Sequence, residues 1–351
     1  MKQPSDLHTI AQALLAPHKG ILAADESTKS AAKRFEALGI ECTEETRRAY
    51  RQLLITTPGI EEYLSGVIFY DETIRQKTDD GTPFPKYLES HNIIPGIKVD
   101  KGLVPLDNFD GETITEGLDG LAERLKEYYE LGARFAKWRA AFTVDAPAGL
   151  PTKGALHANL HTMARYASLC QTAGIVPIVE PEIIYDGSQT LEQAKEATQT
   201  AVGLLMAMLQ AYRVDLSGAI LKTSMVLAGK KQPTQSTPEE VAQATMAVLQ
   251  AAVPKELAGI VFLSGGQTPE QARNNLQAIG SLGKQSWPIT FSFSRAVQDP
   301  AMQAWAGKQE NVTHAQEIYL GLTRDNAQAR HGEYTGGGTA ASDFVSQTQD
   351  A

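Results

Sequence analysis

The sequence predicts an α/β protein built as a (β/α)8 barrel (the TIM-barrel architecture) in a single domain, and three observations carry that prediction. Eight short runs rich in apolar and β-branched residues recur along the chain, at 20–27, 67–70, 93–100, 135–140, 175–181, 219–224, 260–265 and 289–294. Helical patterns fill most of the intervals, and strand–helix alternation implies a parallel sheet. The competing architecture, an open doubly wound sheet, usually carries a glycine-rich dinucleotide or P-loop fingerprint, and neither occurs here. The one glycine triplet, Gly336-Gly337-Gly338, lies in a polar stretch with no strand before it.

The elements follow in order. The residues ahead of the first strand are read as a helical extension of the barrel. Leu118, Leu121, Ala122, Leu125, Tyr128 and Tyr129 have the three-and-four spacing of an amphipathic helix, and so does the stretch 191–212. Pro238-Glu239-Glu240 after Ser236-Thr237 is a helix start with acid in its first turn. Thr268-Pro269-Glu270-Gln271 is another. A barrel of this kind takes about 250 residues, and more with insertions. The chain has 351, and the excess falls at the N-terminus, in the early loops and at the end. From about Ala327 the residues turn polar and small, so 1–330 is expected to form the barrel domain and 331–351 a flexible tail. No linker or internal repeat divides the chain.

Composition narrows the function. With 41 acidic against 32 basic residues the net charge is −9, which argues against nucleic acid or an anionic membrane as partner. A small basic pocket for an anionic metabolite remains compatible with it. The two cysteines, Cys42 and Cys170, are too few and too far apart for a disulfide framework, so a reducing cytoplasm is expected. Met1-Lys2-Gln3-Pro4-Ser5-Asp6 has no apolar run behind it, so no secretory signal is expected. No stretch approaches the roughly 20 apolar residues of a membrane span.

In a barrel, chemistry gathers at the C-terminal ends of the strands. Seven of the eight ends here carry polar or ionisable residues or a glycine turn. They are Asp25-Glu26-Ser27; Lys98 and Asp100; Lys137 and Arg139; Glu180 and Glu182; Lys222; Ser264-Gly265-Gly266; and Ser294-Arg295. Residues two apart on a strand share a face. Each end alone is explained by solubility, but their agreement puts opposed charges around one cleft, which is a sign of a site.

Lys222 is the most informative of these. It stands in Ala219-Ile220-Leu221-Lys222-Thr223-Ser224, an apolar run that reads as the end of a buried strand. Taken alone it is more simply an ion-paired structural lysine. With its companions it becomes a candidate nucleophile, since a buried amine tends to be neutral. Burial and a neighbouring cation, Lys137, would move it from about 10.4 toward the 7–8 useful for catalysis, a shift equivalent to roughly 4 kcal/mol. Glu180 and Asp25 could then carry protons. Arg295, Lys98, Arg139 and the Ser264-Gly265-Gly266 turn suit phosphate, the turn because it opens a helix N-terminus. Ser27, Ser30 and Arg34 form a second cluster at helical spacing, and two anion sites across a cleft would suit a bisphosphate.

Six segments then resemble the class I fructose-bisphosphate aldolases, the metal-independent type that works through a Schiff base. They are Gly20-Ile21-Leu22-Ala23-Ala24-Asp25-Glu26-Ser27-Thr28, Gly96-Ile97-Lys98-Val99-Asp100-Lys101-Gly102, Phe135-Ala136-Lys137-Trp138-Arg139, Ile175-Val176-Pro177-Ile178-Val179-Glu180-Pro181-Glu182, Leu221-Lys222 and Phe262-Leu263-Ser264-Gly265-Gly266-Gln267. The resemblance extends over roughly 7–334. It implies reversible cleavage of fructose 1,6-bisphosphate in glycolysis or gluconeogenesis, with Lys222 forming the Schiff base. Glu180 would act as acid and base, assisted by Glu182 and Lys137, and Asp25 would take the C4-hydroxyl proton. It further implies that Ser264, Gly265, Gly266 and Arg295 hold the C1 phosphate. Ser27, Ser30, Lys98 and Arg139 would serve the C6 side, with Arg34 nearby. No cofactor and no metal are implied. Sugar phosphates are the expected ligands, and a cytoplasmic homotetramer the expected assembly.

Two departures stand out. Animal members end in a tyrosine held to aid proton exchange on the carbanion, whereas no tyrosine follows Tyr334 here. Thr223-Ser224-Met225 and Phe293-Ser294 also differ from the family's usual residues, which bears on substrate preference. The alternatives are an enzyme that also cleaves sedoheptulose bisphosphate, and a barrel scaffold without catalysis. His157 and His161 have a metal-ligand spacing, but Ala158-Asn159-Leu160 between them supplies neither a third ligand nor a base.

Overall fold

The computed structural model describes residues 4–336. Most of the expected flexible tail, including Gly337, Gly338 and the C-terminal end, therefore lies outside the described residues. One eight-stranded sheet organises the rest, its strands neighbouring one another in chain order. They are β1 (Gly20–Ala24), β2 (Leu64–Phe69), β3 (Ile94–Lys98), β4 (Phe135–Phe142), β5 (Val176–Ile183), β6 (Ile220–Thr223), β7 (Gly259–Phe262) and β8 (Ile289–Phe291). All seven pairings along the sheet are parallel. The seam between β8 and β1 is closed by the Ala23 N–H, which donates to the Phe293 carbonyl at 2.9 Å. Thr290 Oγ1 also crosses it, donating to the Lys19 carbonyl at 2.7 Å. The expected barrel is the observed one.

Strand alternation divides the core in two. Ile21, Ala23, Ile68, Phe135, Val176, Ile178, Ile220 and Val261 fill the interior, together with Leu7, Ala11, Leu14 and Leu15. The last four come from the helix Pro4–Leu14 and the residue after it, so the N-terminal extension plugs the bottom of the barrel. Glycines make room for this plug. A Cβ on Gly66 would press on Leu14, one on Gly259 on Leu15, and one on Gly96 would overlap the Phe135 ring. Outward-facing strand residues such as Leu22, Phe69, Trp138, Val179 and Leu221 belong to a larger cluster shared with the surrounding helices.

Several helices carry the signals read from the sequence. The helix Pro238–Ala252 has Pro at its start and a Thr237/Glu240 capping box, and the helix Pro269–Ser281 has the same device in Thr268/Gln271. The helix Leu191–Ala211 fits the expected 191–212, and Leu121–Glu130 the expected helix after Leu118. A two-stranded antiparallel ribbon, Gly102–Pro105 with Thr113–Glu116, was not anticipated. It rises from the loop after β3 and flanks the strand-end face. Six of the eight expected strands ran too long at their C-terminal ends, whereas 135–140 and 175–181 stopped two residues short of the observed Phe142 and Ile183. Asp25–Ser27, Ser264–Gly265 and Ser292–Ser294 leave the ladder to start turns and helices.

Candidate active site

The interior face of the barrel changes character partway up. On β4 the inward series runs Phe135, Lys137, Arg139; on β5 it runs Val176, Ile178, Glu180, Glu182; on β6 it runs Ile220, Lys222. On β1, Ile21 and Ala23 are followed by Asp25, and on β3, Gly96 by Lys98. The apolar lower layers hold the strands together, and the same alternation then delivers charges to the upper mouth. The register pairs Lys98 with Lys137 and Arg139 with Glu180, so these groups arrive at adjacent heights.

Four of them form a chain. Lys137 Nζ is 2.8 Å from Asp25 Oδ2 and 3.4 Å from Glu180 Oε2. Lys222 Nζ is 3.5 Å from Glu180 Oε1. Asp25, Lys137, Glu180 and Lys222 are all buried, and Lys222 is only 3% exposed. Glu180 Oε2 is sealed from solvent and accepts no hydrogen bond among the described residues. Two lysine side chains thus share one carboxylate that has spare acceptor capacity.

The electrostatics assign a state to Asp25, Lys137 and Glu182. Burial alone would raise the Asp25 carboxyl, but the charges of Lys137 and Lys222 outweigh it and bring it down to about 2. Burial works against the Lys137 ammonium, yet Asp25 and Glu180 push it well above the usual lysine range. At neutral pH Lys137 is a fixed cation and Asp25 a carboxylate. Glu182 is likewise held below the usual range, the cost of its burial exceeded by the Arg139 guanidinium.

The remaining expected residues flank this chain on two sides. On one, Arg139 Nε pairs with Glu182, and Lys98 Nζ lies 2.6 Å from Asp100 Oδ1. Ser27 caps the helix Thr28–Glu36, accepting from the Ser30 N–H, with its Oγ 3.1 Å from Ser30 Oγ. On the other side Ser264 is buried, and Gly265 and Gly266 hold φ of +52° and +88°, a region that favours glycine. Neither glycine N–H donates to a carbonyl among the described residues, so both are available. Arg295 is exposed and opens the helix Arg295–Trp305. Its Nη2 lies 3.9 Å from where a Cβ on Gly266 would stand, so guanidinium and turn face one space. Such a space, between the loops after strands seven and eight and a helix N-terminus, is the usual phosphate pocket of a barrel.

Arg34 is placed differently from its neighbours. Its guanidinium is committed to Glu26 and Asp299 rather than directed into the mouth. Sequence reasoning passed over Glu26 and its other partner, Arg51, as site residues. Glu26 was visible only as the neighbour of Asp25. Arg51 lies on the helix Glu44–Ile55, where nothing local in the sequence points to a partner just beyond the end of β1. His157 and His161 are exposed on the helix Lys153–Thr172, and His161 packs edge-on against Tyr212. No group of three or more potential metal ligands occurs among the described residues.

Comparison with known proteins agrees with this geometry. A family model described as fructose-bisphosphate aldolase class-I matches residues 6–349. A probable fructose-bisphosphate aldolase class 1 from Xanthomonas campestris pv. campestris is 51% identical over 327 residues, covering 93% of this chain and 97% of the relative. The fructose-bisphosphate aldolase of Dictyostelium discoideum is 47% identical over 336 residues, with 95% and 94% covered. A solved structure of the Plasmodium falciparum fructose-bisphosphate aldolase, in complex with TRAP and a small-molecule inhibitor, superposes with a TM-score of 0.93 at 46% identity, covering 95% of this chain and 96% of that one. The chain belongs to the class I fructose-bisphosphate aldolase family.

Proposed function

We propose that this protein cleaves fructose 1,6-bisphosphate reversibly into dihydroxyacetone phosphate and glyceraldehyde 3-phosphate through an imine on Lys222. The observation that carries the reading is the Asp25–Lys137–Glu180–Lys222 chain, in which a buried amine has a proton acceptor at 3.5 Å. Lys222 Nζ attacks the C2 carbonyl. Glu180 supplies the proton with which the C2 hydroxyl leaves as water, and Glu182 and the fixed charge of Lys137 support it. Asp25, ionised at neutral pH, takes the proton of the C4 hydroxyl as the C3–C4 bond breaks. The bonding electrons pass into the protonated imine, giving an enamine and free aldehyde. Protonation at C3 and hydrolysis of the imine release the ketone and restore Lys222.

Asp25 is a weak base while it pairs with Lys137 at 2.8 Å. A substrate hydroxyl entering between them lengthens that pair and raises its basicity where the proton is to be taken. Ser264, the Gly265 and Gly266 N–H groups and Arg295 receive the C1 phosphate. Ser27, Ser30, Lys98 and Arg139 receive the C6 side, while Arg34, paired with Glu26 and Asp299, stands behind it. No metal enters this scheme, because a protonated imine at C2 supplies the electron sink. The ligands are sugar phosphates, and the resemblance carries with it a homotetramer in the cytoplasm. No helix among the described residues is long and apolar enough to cross a membrane.

The test is chemical trapping. Borohydride added with fructose 1,6-bisphosphate should convert the imine to a stable secondary amine on the peptide that holds Lys222. Lys222→Ala should lose that adduct and lower kcat by more than about a thousandfold. An adduct on a different lysine sinks the assignment.

A further inference from the structure

Behind Asp25 lies a second buried charge cluster that the bond-breaking chemistry does not use. Glu26 follows Asp25 and, by alternation, faces the helices rather than the barrel mouth. Its Oε1 accepts from Arg34 Nη1, and from Ser294 Oγ at 3.0 Å. Its Oε2 lies 2.7 Å from Arg51 Nη2. Arg34 continues outward, with Nη2 at 2.6 Å from Asp299 Oδ1 and Nη1 donating to Gln298 Oε1 at 3.2 Å. Gln298 Nε2 returns to the Ala23 carbonyl at 2.7 Å. The cluster balances two acids against two arginines; its outer acid, Asp299, is 41% exposed, but the part around Glu26 has little access to water. The side chain of Arg51 is 5% exposed and that of Glu26 13%. The neighbouring guanidiniums overcome the cost of burial and hold Glu26 below the usual carboxylate range.

Two of the partners of Glu26, Arg34 and Ser294, come from elements that carry opposite ends of the proposed substrate site; the third, Arg51, comes from the helix Glu44–Ile55. Arg34 belongs to the helix that starts at Ser27 and Ser30. Gln298 and Asp299 belong to the helix that starts with Arg295, and Ser294 is its N-cap, the residue just before that arginine. We infer that Glu26 is a positioning residue that sets the span between the two phosphate ends of the site. The inference rests on the functional reading above, which gives the C1 phosphate to Arg295 and the C6 phosphate to the Ser27–Ser30 side. A bisphosphate is held at both ends and needs the correct span. A ketose with only the C1 phosphate needs one end and tolerates a small error in the other. Arg34, in this arrangement, is a strut between the two helices.

Steady-state kinetics of Glu26→Gln and of the milder Ser294→Ala, each with fructose 1,6-bisphosphate and with fructose 1-phosphate, test this. For the bisphosphate, KM should rise about tenfold in Glu26→Gln and about threefold in Ser294→Ala, with kcat changed less than about threefold. For fructose 1-phosphate, KM should move less than about twofold in either variant. Equal rises on both substrates, or a lower Tm with an unchanged ratio of the two KM values, overturn the inference. If Glu26→Gln does not fold, Ser294→Ala decides alone, since it removes only the hydroxyl's two hydrogen bonds, to Glu26 Oε1 and from Gln298 Nε2, and leaves every charge paired. Wild-type labelling by borohydride separates the two levels. Without an adduct at Lys222 the functional reading itself fails; with the adduct and no change in the KM ratio, only the role of Glu26 fails.

Discussion

Asp25 shows how one side chain ties stability to chemistry. Its carboxyl ionises near 3.8 in the absence of perturbation and about 2 in the fold. A value lowered by folding means that the ionised form is the better fit to the folded protein. The stability this brings is fully present above about pH 4 and is lost as the pH falls through 2. A shift of this size corresponds to about 2 kcal/mol. Denaturant unfolding between about pH 5 and pH 2 should therefore show the wild type losing about 2 kcal/mol more than Asp25→Asn. Parallel pH curves would show that the carboxylate does not feel Lys137 and Lys222 as the geometry says it does. The position of Asp25 was legible in the sequence, because a charged residue ending an apolar strand is conspicuous. Its state was not, because that depends on two lysines more than 100 positions away that only the closed barrel brings near. Glu26 makes the complementary case. Its sequence context is as conspicuous as that of Asp25, but its partners are on helices, and no periodicity along the chain marks them.

At the scale of elements, the interior strand positions show why β-runs were readable and their limits were not. An apolar run with β-branched residues announces a strand, and all eight were found. The C-terminal ends of six were overestimated, β1 and β7 among them because Asp25-Glu26-Ser27 and Ser264-Gly265 are continuous with the runs in sequence, while β4 and β5 run two residues further than expected. In the structure Ser27 instead turns the chain into a helix by capping it, and Gly265 and Gly266 turn it by positive φ. The ribbon Gly102–Pro105 with Thr113–Glu116 escaped notice because its strands have four residues each and no two-residue turn joins them. Gly96 carries the sharpest element-scale consequence. It lies opposite Phe135 in the register of β3 and β4, and any Cβ there would overlap the phenyl ring. Phe135 is fully buried in a close-packed interior, so its ring cannot move aside without displacing its neighbours. Gly96→Ala should cost about 1–3 kcal/mol by denaturant midpoint. In Gly96→Ala/Phe135→Leu, where the smaller side chain leaves room for the methyl group, the combined cost should be less than the sum of the two single changes. Simple additivity would mean that the ring and the glycine do not compete for the same space.

For the whole molecule, closure of the barrel is the step that turns a list of charged strand ends into a site. The sheet is not equally strong all the way round. β4 and β5 pair over eight residues each, from Phe135 with Val176 to Phe142 with Ile183. The β8–β1 seam has a single backbone bond from Ala23 to Phe293, supplemented by Thr290 Oγ1 on the Lys19 carbonyl. Arg330, at the end of the helix Val312–Ala329, braces the same place by donating to the carbonyls of Ala16 and Lys19 at 2.7 and 2.6 Å. The seam matters for function because Asp25 stands on one side of it and Arg295 on the other. The weakest joint should open first, since local opening follows the number of buried bonds that must break together. Amide hydrogen exchange should therefore be faster in residues 289–294 than in residues 135–142. Thr290→Val keeps the volume and removes the hydroxyl, so exchange should accelerate in 20–24 and 289–294 while 135–142 and 176–183 stay as they were. An acceleration spread evenly over all eight strands would mean that the barrel opens as one unit and that the seam is not where the site comes apart.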